Sequence, residues 1–279
     1  MRAGVATTRV TRRTPHESLD RPDLLAVEEP LEIRLGYGKG AERKQQSVAV
    51  TMRTPGNDFE LAAGFLFTEG ILHHNHQVGH IRYCEDIDHP EAKDNIVRIE
   101  LNESEEVDSA KFTRNFYTTS SCGVCGKASI ESIEQNCQAL APGPEIDVNV
   151  FFGLGEKLRE EQAVFEHTGG LHAAALFSAE GEFLHLREDV GRHNALDKLI
   201  GAQFLTEKLP LSQSVLLLSG RISFELVQKA VMAGIPVVCA VGAPSSLAVQ
   251  TANKFGMTLI GFLKPDKLNI YSDFNRIKG

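Results

Sequence analysis

The stretch that decides the fold begins Val215-Leu-Leu-Leu-Ser-Gly-Arg221, passes through Phe224 to Ala233 and Gly234, and reaches Val237-Val-Cys-Ala-Val241. It continues through Ser245, Leu247 to Phe255 and Gly256 into Met257-Thr-Leu-Ile-Gly-Phe262. Short, uninterrupted apolar runs bounded by turn residues suit strands buried on both faces. The segments between them are amphipathic. Gly234 and Gly256 stand where a helix would end, and Ser245 where one would begin. Strand–helix alternation of this kind predicts an α/β/α sandwich with a largely parallel sheet.

Upstream, Ala173 to Phe177 is another apolar run, and Glu180-Gly181 turns it into a hairpin partner, Phe183 to Leu186. Helices are expected from Phe151 to Phe165 and from Asn194 to Leu209, the latter with Leu196, Leu199, Ile200 and Phe204 on one side. Nearer the N-terminus the period changes. Leu31, Ile33 and Leu35 alternate with charged residues, as Val48, Val50 and Met52 do with their neighbours, giving two half-buried strands. Asn57 is placed to cap a helix, with Glu60 returning the bond. Phe59, Ala62, Ala63 and Leu66 share one face, and Gly70 ends the helix. Ile81 to Cys84 and Ile96 to Leu101 complete a β-β-α-β-β unit. Met1 to Asp23 has arginines and threonines but no apolar run, which predicts an unstructured tail. The expected organisation is a flexible tail over 1–28, a small α+β domain over 29–115 and an α/β/α domain over 116–279.

Composition narrows the function. Lys and Arg total 29 against 37 Asp and Glu, a net charge of −8. That balance argues against a general nucleic-acid binder, which needs a strongly basic face. No run of about 18 apolar residues is present, so a helical membrane span is not expected. Five cysteines in 279 residues do not make a disulfide framework. The reading is a cytoplasmic protein with reduced thiols.

Chemistry is expected outside the carboxyl ends of the strands. The candidates there are Ser219-Gly-Arg221, Gly242-Ala-Pro-Ser245 and Leu263-Lys-Pro-Asp-Lys267. The first two open helices, whose free N–H groups favour anions, and Arg221, Lys264 and Lys267 add charge for phosphates. Two glycine-flanked histidine motifs, Thr168-Gly-Gly-Leu-His172 and Asp189-Val-Gly-Arg-His-Asn194, supply His172, Arg192 and His193 as proton donors or anion contacts. Cys122-Gly-Val-Cys125 is the sharpest local signal. A following helix and Lys127 would both lower a thiol pKa there. Its spacing leaves open persulfide sulfur transfer, dithiol–disulfide exchange, half of a zinc site, or a buried structural pair. A nucleobase-deaminase zinc site would draw on His89-Pro-Glu91, but Ser121 replaces the proline expected before the first cysteine. Cys84, Cys137 and Cys239 read as core or incidental.

Taken together, Ser121-Cys-Gly-Val-Cys-Gly126, Thr168 to His172, Asp189 to Lys198, Ser219-Gly-Arg221, Gly242 to Ser245 and Leu259 to Phe262 strongly resemble the FdhD/NarQ family of formate dehydrogenase accessory sulfurtransferases. The resemblance covers the chain from about Glu29 onward. It implies a larger domain similar to cytidine deaminases, a homodimer, and transfer of persulfide sulfur from a cysteine desulfurase. The sulfur would go to the molybdenum or tungsten of the bis-molybdopterin guanine dinucleotide cofactor, carried as cargo before its insertion into formate dehydrogenase. No tightly held metal of the protein's own is implied. By the same resemblance Cys122 bears the persulfide, Cys125 assists, and Phe262, Leu263, Lys264, Pro265, Asp266 and Lys267 match the family's cofactor-binding stretch. Two rival readings are a molybdenum-cofactor chaperone that transfers no sulfur, and a deaminase-type zinc hydrolase.

Overall fold

The computed structural model describes residues 4–84, 93–105 and 139–279. The expected tail is corrected at once. Val5–Arg13 (β1) and Ser18–Ala26 (β2) form an antiparallel hairpin in unbroken register from Val5 opposite Ala26 to Arg13 opposite Ser18. Threonine and valine favour the strand even without an apolar run. Thr14 closes the turn, its N–H reaching the Glu17 carbonyl at 2.9 Å while its hydroxyl accepts from Glu17 N–H at 3.1 Å.

Glu29–Tyr37 (β3), Lys44–Arg53 (β4), Asp58–Thr68 (α1), Val78–Tyr83 (β5) and Ile96–Leu101 (β6) follow in the expected β-β-α-β-β order. The strands make a four-stranded sheet, β4-β3-β6-β5, in which β3 and β6 run parallel. Leu31, Ile33 and Leu35 are buried in the same core as Leu61 and Leu66 of α1, as the alternation requires. The expected capping box does not form. Asn57 occupies the N-cap position but in the left-handed region, φ 57°, without a side-chain cap bond. Glu60 is held instead by Arg187, at 2.5 and 2.8 Å, a bidentate pair stronger than one bond to a backbone N–H.

The second unit opens with Ile146–Asp147 (β7), Val148–Glu161 (α2) and Ala163–Thr168 (α3). The single helix expected over 151–165 is therefore two, because the Glu188 carboxylate accepts the N–H groups of Val164 and Phe165 at 3.3 and 3.1 Å and starts a new helix there. His172–Phe177 (β8), Phe183–Asp189 (β9), Arg192–Leu205 (α4), Val215–Leu218 (β10), Phe224–Met232 (α5), Val237–Ala240 (β11), Ser246–Phe255 (α6), Thr258–Lys264 (β12), Lys267–Ser272 (β13) and Ile277–Lys278 (β14) complete it. Six strands form one sheet, ordered β13-β12-β11-β10-β8-β9. It is mixed rather than largely parallel. Only β10–β11 and β11–β12 are parallel, since hairpins close both edges and β8 runs against β10. Strand residues of one parity, such as Leu216, Leu218, Val238 and Ala240, pack with α4, α5 and α6. The other parity, including Val215, Leu217, Val237 and Cys239, packs with Phe151, Leu154 and Leu158 of α2.

The two units meet where α1 crosses α4. A Cβ on Gly64 would strike the Asp197 carbonyl, and one on Gly201 the Glu60 carbonyl, so the helices touch backbone to backbone. Among the described residues no helix is long and apolar enough to cross a membrane.

Candidate functional site

Strand direction gathers the candidate residues. β9, β10, β11 and β12 all end at one edge of the six-stranded sheet, where the antiparallel β8 begins. The loops at that edge bond to one another. Ser219 N–H reaches the Ala173 carbonyl at 3.0 Å, and its hydroxyl accepts from Ala173 N–H at 2.8 Å. Gly242 N–H donates to the Gly220 carbonyl at 3.1 Å, and Phe262 N–H to the Gly242 carbonyl at 3.0 Å. Glycine is needed for this closeness. A Cβ on Gly242 would lie 2.8 Å from the Gly220 oxygen, and one on Gly220 3.1 Å from His172 Nδ1. The helices α4, α5 and α6 start at this same edge, so three sets of free N–H groups face it.

His172, Arg192, His193 and Arg221 come together here. Burial first, then the charges of Arg192 and Arg221, hold the His172 pKa below its ordinary value against the pull of Asp189. His193 is pushed down to about 4, by burial first and then by Arg192 and Lys229, with Glu225 opposing. A neutral His193 shares a hydrogen bond with Ser223, Nε2 to Oγ 3.1 Å. Arg192 Nε is buried with no hydrogen-bond partner among the described residues. The Ser245 hydroxyl caps α6, accepting from Ala248 N–H at 3.2 Å, which leaves its O–H as a donor.

Cavities flank the cluster. One of about 290 Å³ is lined by His172, Ser219, Gly169 and Gly170. A larger one of about 780 Å³ has Arg192, His193, Ser223 and Lys229 on one wall and Val50, Met52 and Phe65 on the other. The Phe262 to Lys267 stretch lies beyond the end of β11. It is the last turn of β12 and a tight connection to β13, where Lys264 pairs with Lys267. Phe262 is exposed with a positive φ of 52°. Leu263 turns into the core beside α2. Lys264, Pro265, Asp266 and Lys267 are exposed, and Lys264 and Pro265 border a third cavity of about 230 Å³ with Arg159. That cavity lies on the α2 side of the sheet, apart from the His172 cluster.

Cys122, Cys125, Lys127, Cys137, His89, Glu91 and the boundary expected at residue 115 lie outside the described residues. Cys84 and Cys239 are buried free thiols, and burial pushes the Cys239 thiol up.

Sequence reasoning passed over the residues that hold the cluster in place. Asp189 is fully buried. One of its carboxylate oxygens accepts from Gly191 N–H at 2.8 Å and Asn194 Nδ2 at 3.1 Å. The other meets Lys198 Nζ at 2.7 Å and Thr54 N–H at 3.1 Å. Lys198 also donates to the Thr54 carbonyl at 2.8 Å, so the small unit braces the turn carrying Arg192 and His193. Asp197 likewise pairs with Lys229 at 3.0 Å and Thr68 Oγ1 at 2.9 Å. The signal was present. Lys198 falls on the buried face of α4 with Ala195, Leu199 and Ala202, and a charge there needs a buried partner.

Residues 26–278 match the model of the FdhD/NarQ family. The sulfur carrier protein FdhD of Mycolicibacterium paratuberculosis is 51% identical over 273 residues, 96% of this chain and 97% of that protein. Its counterpart in Streptomyces coelicolor is 49% identical, covering 92% of this chain and 90% of the relative. The one in Saccharolobus solfataricus is 41% identical over 94% of this chain and 93% of the relative. A crystal structure from Desulfotalea psychrophila, described as a formate dehydrogenase accessory protein, shares the fold, with a TM-score of 0.74 over 99% of this chain and all of that one at 21% identity.

Proposed function

The chain belongs to the FdhD/NarQ family, and from that premise we propose that it is a sulfur carrier for the bis-molybdopterin guanine dinucleotide cofactor. Cys122 takes sulfur from a cysteine desulfurase. Its thiolate attacks the terminal sulfur of the donor's persulfide, a new S–S bond forms on Cys122, and the donor cysteine leaves as thiolate. For delivery, the Cys125 thiolate attacks the inner sulfur of the Cys122 persulfide. The terminal sulfur departs as sulfide to the molybdenum or tungsten, and the resulting Cys122–Cys125 disulfide is reopened by a thiol reductant. The recipient of the loaded cofactor is formate dehydrogenase. The protein works in the cytoplasm as a homodimer, with its larger unit of the cytidine-deaminase type.

The observation that carries this reading is the sheet edge. His172, Arg192 and Arg221 converge there with three helix N-termini, in a chain whose net charge is −8. The cofactor's pyrophosphates need such a local concentration of donors, and the overall field of the protein would otherwise repel them. Phe262, with Lys264 to Lys267, offers a second contact along the same edge for the far end of a large ligand, with Leu263 and Ser245 supporting the backbone.

The test is to incubate the protein with a cysteine desulfurase and cysteine and to weigh the peptide containing Cys122. The expected result is one added sulfur in the wild type and none in Cys122→Ala. Equal loading in both would overturn the reading. Formate dehydrogenase activation by the Cys122→Ala, Cys125→Ala double variant would point instead to a cofactor chaperone that moves no sulfur.

A further inference from the structure

The β1–β2 hairpin has no part in this chemistry. Among the described residues its strands pair only with each other, and the family model begins at residue 26, where the hairpin ends. Which backbone groups face outward is fixed by two bonds, Thr14 N–H to the Glu17 carbonyl and Val27 N–H to the Gly4 carbonyl, both 2.9 Å. Inward-bonding positions recur every second residue in an antiparallel pair, and the register between these two points is unbroken. Ala6, Thr8, Val10 and Arg12 therefore bond to β2. Val5, Thr7, Arg9, Thr11 and Arg13 turn their N–H and C=O groups outward.

The two outer edges differ. On β2 the outward set includes Pro22, opposite Arg9, which has no N–H to give. The β1 edge contains no proline and, among the described residues, no strand pairs with it, so it is the edge suited to an added strand. β1 also carries three exposed arginines, Arg9, Arg12 and Arg13, and no acidic residue. Two copies of β1 paired antiparallel about their centres would set Arg9 against Arg9, and like charges directly opposite are unfavourable. An acidic strand meets no such conflict.

The hairpin is rooted beside the candidate site. A Cβ on Gly170, two residues before His172, would lie 3.5 Å from the Ala26 methyl. Gly4 packs against Thr54, with 3.2 Å from its ideal Cβ to the threonine methyl. Thr54 in turn bonds to Asp189 and Val190, next to Arg192. We propose that the outer edge of β1 docks an extended acidic segment of another protein by strand addition, which would seat that protein at the rim of the site. The strand addition stands independently of sulfur transfer, whereas its use in delivering or receiving sulfur rests on the reading above.

The probe is a fluorescein-labelled peptide of alternating glutamate and valine, titrated into the full-length chain by anisotropy, with a lysine–valine peptide as control. Saturable binding of the acidic peptide alone is expected. Amide exchange should slow at Thr7, Arg9 and Thr11 and stay unchanged at Thr8 and Val10, which are already bonded. Thr7→Pro removes one outward N–H without touching a hairpin bond and is expected to weaken binding about tenfold. Arg9→Glu is expected to weaken it by about as much through charge alone, and it carries the test if exchange shows that Thr7→Pro has opened the hairpin. Equal binding by both peptides, protection elsewhere, or unchanged affinity in both variants would overturn the proposal. So would self-association of the free chain that Thr7→Pro abolishes, which would make a second copy the occupant. Cys122→Ala should bind the peptide normally, and Thr7→Pro should take sulfur normally from a low-molecular-weight persulfide, which needs no docking, so failure of one idea is distinct from failure of the other.

Discussion

Two cations in one short segment have opposite surroundings. Lys198 is buried and surrounded by protein acceptors: the Asp189 carboxylate at 2.7 Å, the Thr54 carbonyl at 2.8 Å and the Glu188 carbonyl at 3.4 Å. Arg192, six residues earlier in sequence, has a buried Nε with no acceptor among the described residues, and stands among His172, His193 and Arg221. An unmet buried donor costs on the order of 1–3 kcal/mol. A bound anion beside Arg192 would supply an acceptor and recover that cost. The satisfied half of the segment from Asp189 to Lys198 is architecture, and the half around Arg192, unmet among the described residues, is the proposed receptor.

If that contrast is right, removing the satisfied cation has the largest effect. Lys198→Met strands the Asp189 carboxylate in the interior and is expected to cost about 3–5 kcal/mol in urea unfolding. Adding Asp189→Asn should restore a good part of the loss, because the two residues act as one unit. A loss under about 1 kcal/mol in the single variant would break the comparison. Next in size is the helix crossing between the units. Gly201→Ala drives a methyl into the Glu60 carbonyl and is expected to cost about 1–3 kcal/mol. Arg192→Met should behave in the reverse sense to Lys198→Met. Its unfolding free energy in urea is expected to match or exceed the wild type's, by up to about 1–3 kcal/mol, because the unmet donor is gone. Its affinity for inorganic pyrophosphate, the anionic element of the proposed cargo, falls about tenfold by calorimetry.

The same contrast explains what could be read in advance. Leu216, Leu218, Val238 and Ala240 sit in continuous apolar runs whose only stable place is a doubly covered sheet, and they are found there. The order of strands and helices was legible for that reason. Strand direction was not, because an apolar run such as Ala173 to Phe177 is equally buried in a parallel or an antiparallel pairing. The hairpin at residues 5–26 was missed because its strands are held by backbone bonds and threonines, which leave no apolar pattern. On the site side, glycine-flanked His172, Arg192 and His193 could be picked out, since close-packed loops need glycine. Asp189 and Lys198 lie nine residues apart and find each other locally, but Thr54, Thr68 and Lys229, which complete the bonds of Asp189, Asp197 and Lys198, are distant in sequence, and no local pattern names them.

The smallest expected effect concerns pH, and it tests whether the histidines beside Arg192 are kept neutral until an anion arrives. His193 has a native pKa of about 4 against an ordinary 6.5. Between those values the unfolded chain binds a proton that the native state resists, so stability falls as pH drops from about 6.5 toward 4. His172 is lowered too and adds to the same slope. With 36% of the His193 side chain exposed, water softens the effect. His193→Asn should lower stability most near pH 7, through its lost bond to Ser223, and progressively less toward pH 4, where the wild type has itself lost the contribution of neutral His193, so the slope in this window flattens when urea midpoints are compared at several pH values. Pyrophosphate should flatten the wild-type slope as well, because an anion beside His172 and Arg192 offsets the positive charge that, after burial, holds both histidines neutral. Wild-type and His193→Asn curves that run parallel from pH 7 to pH 4 would mean that His193 is not held neutral by its surroundings, and the outward half would lose its claim to be a charge-poised receptor.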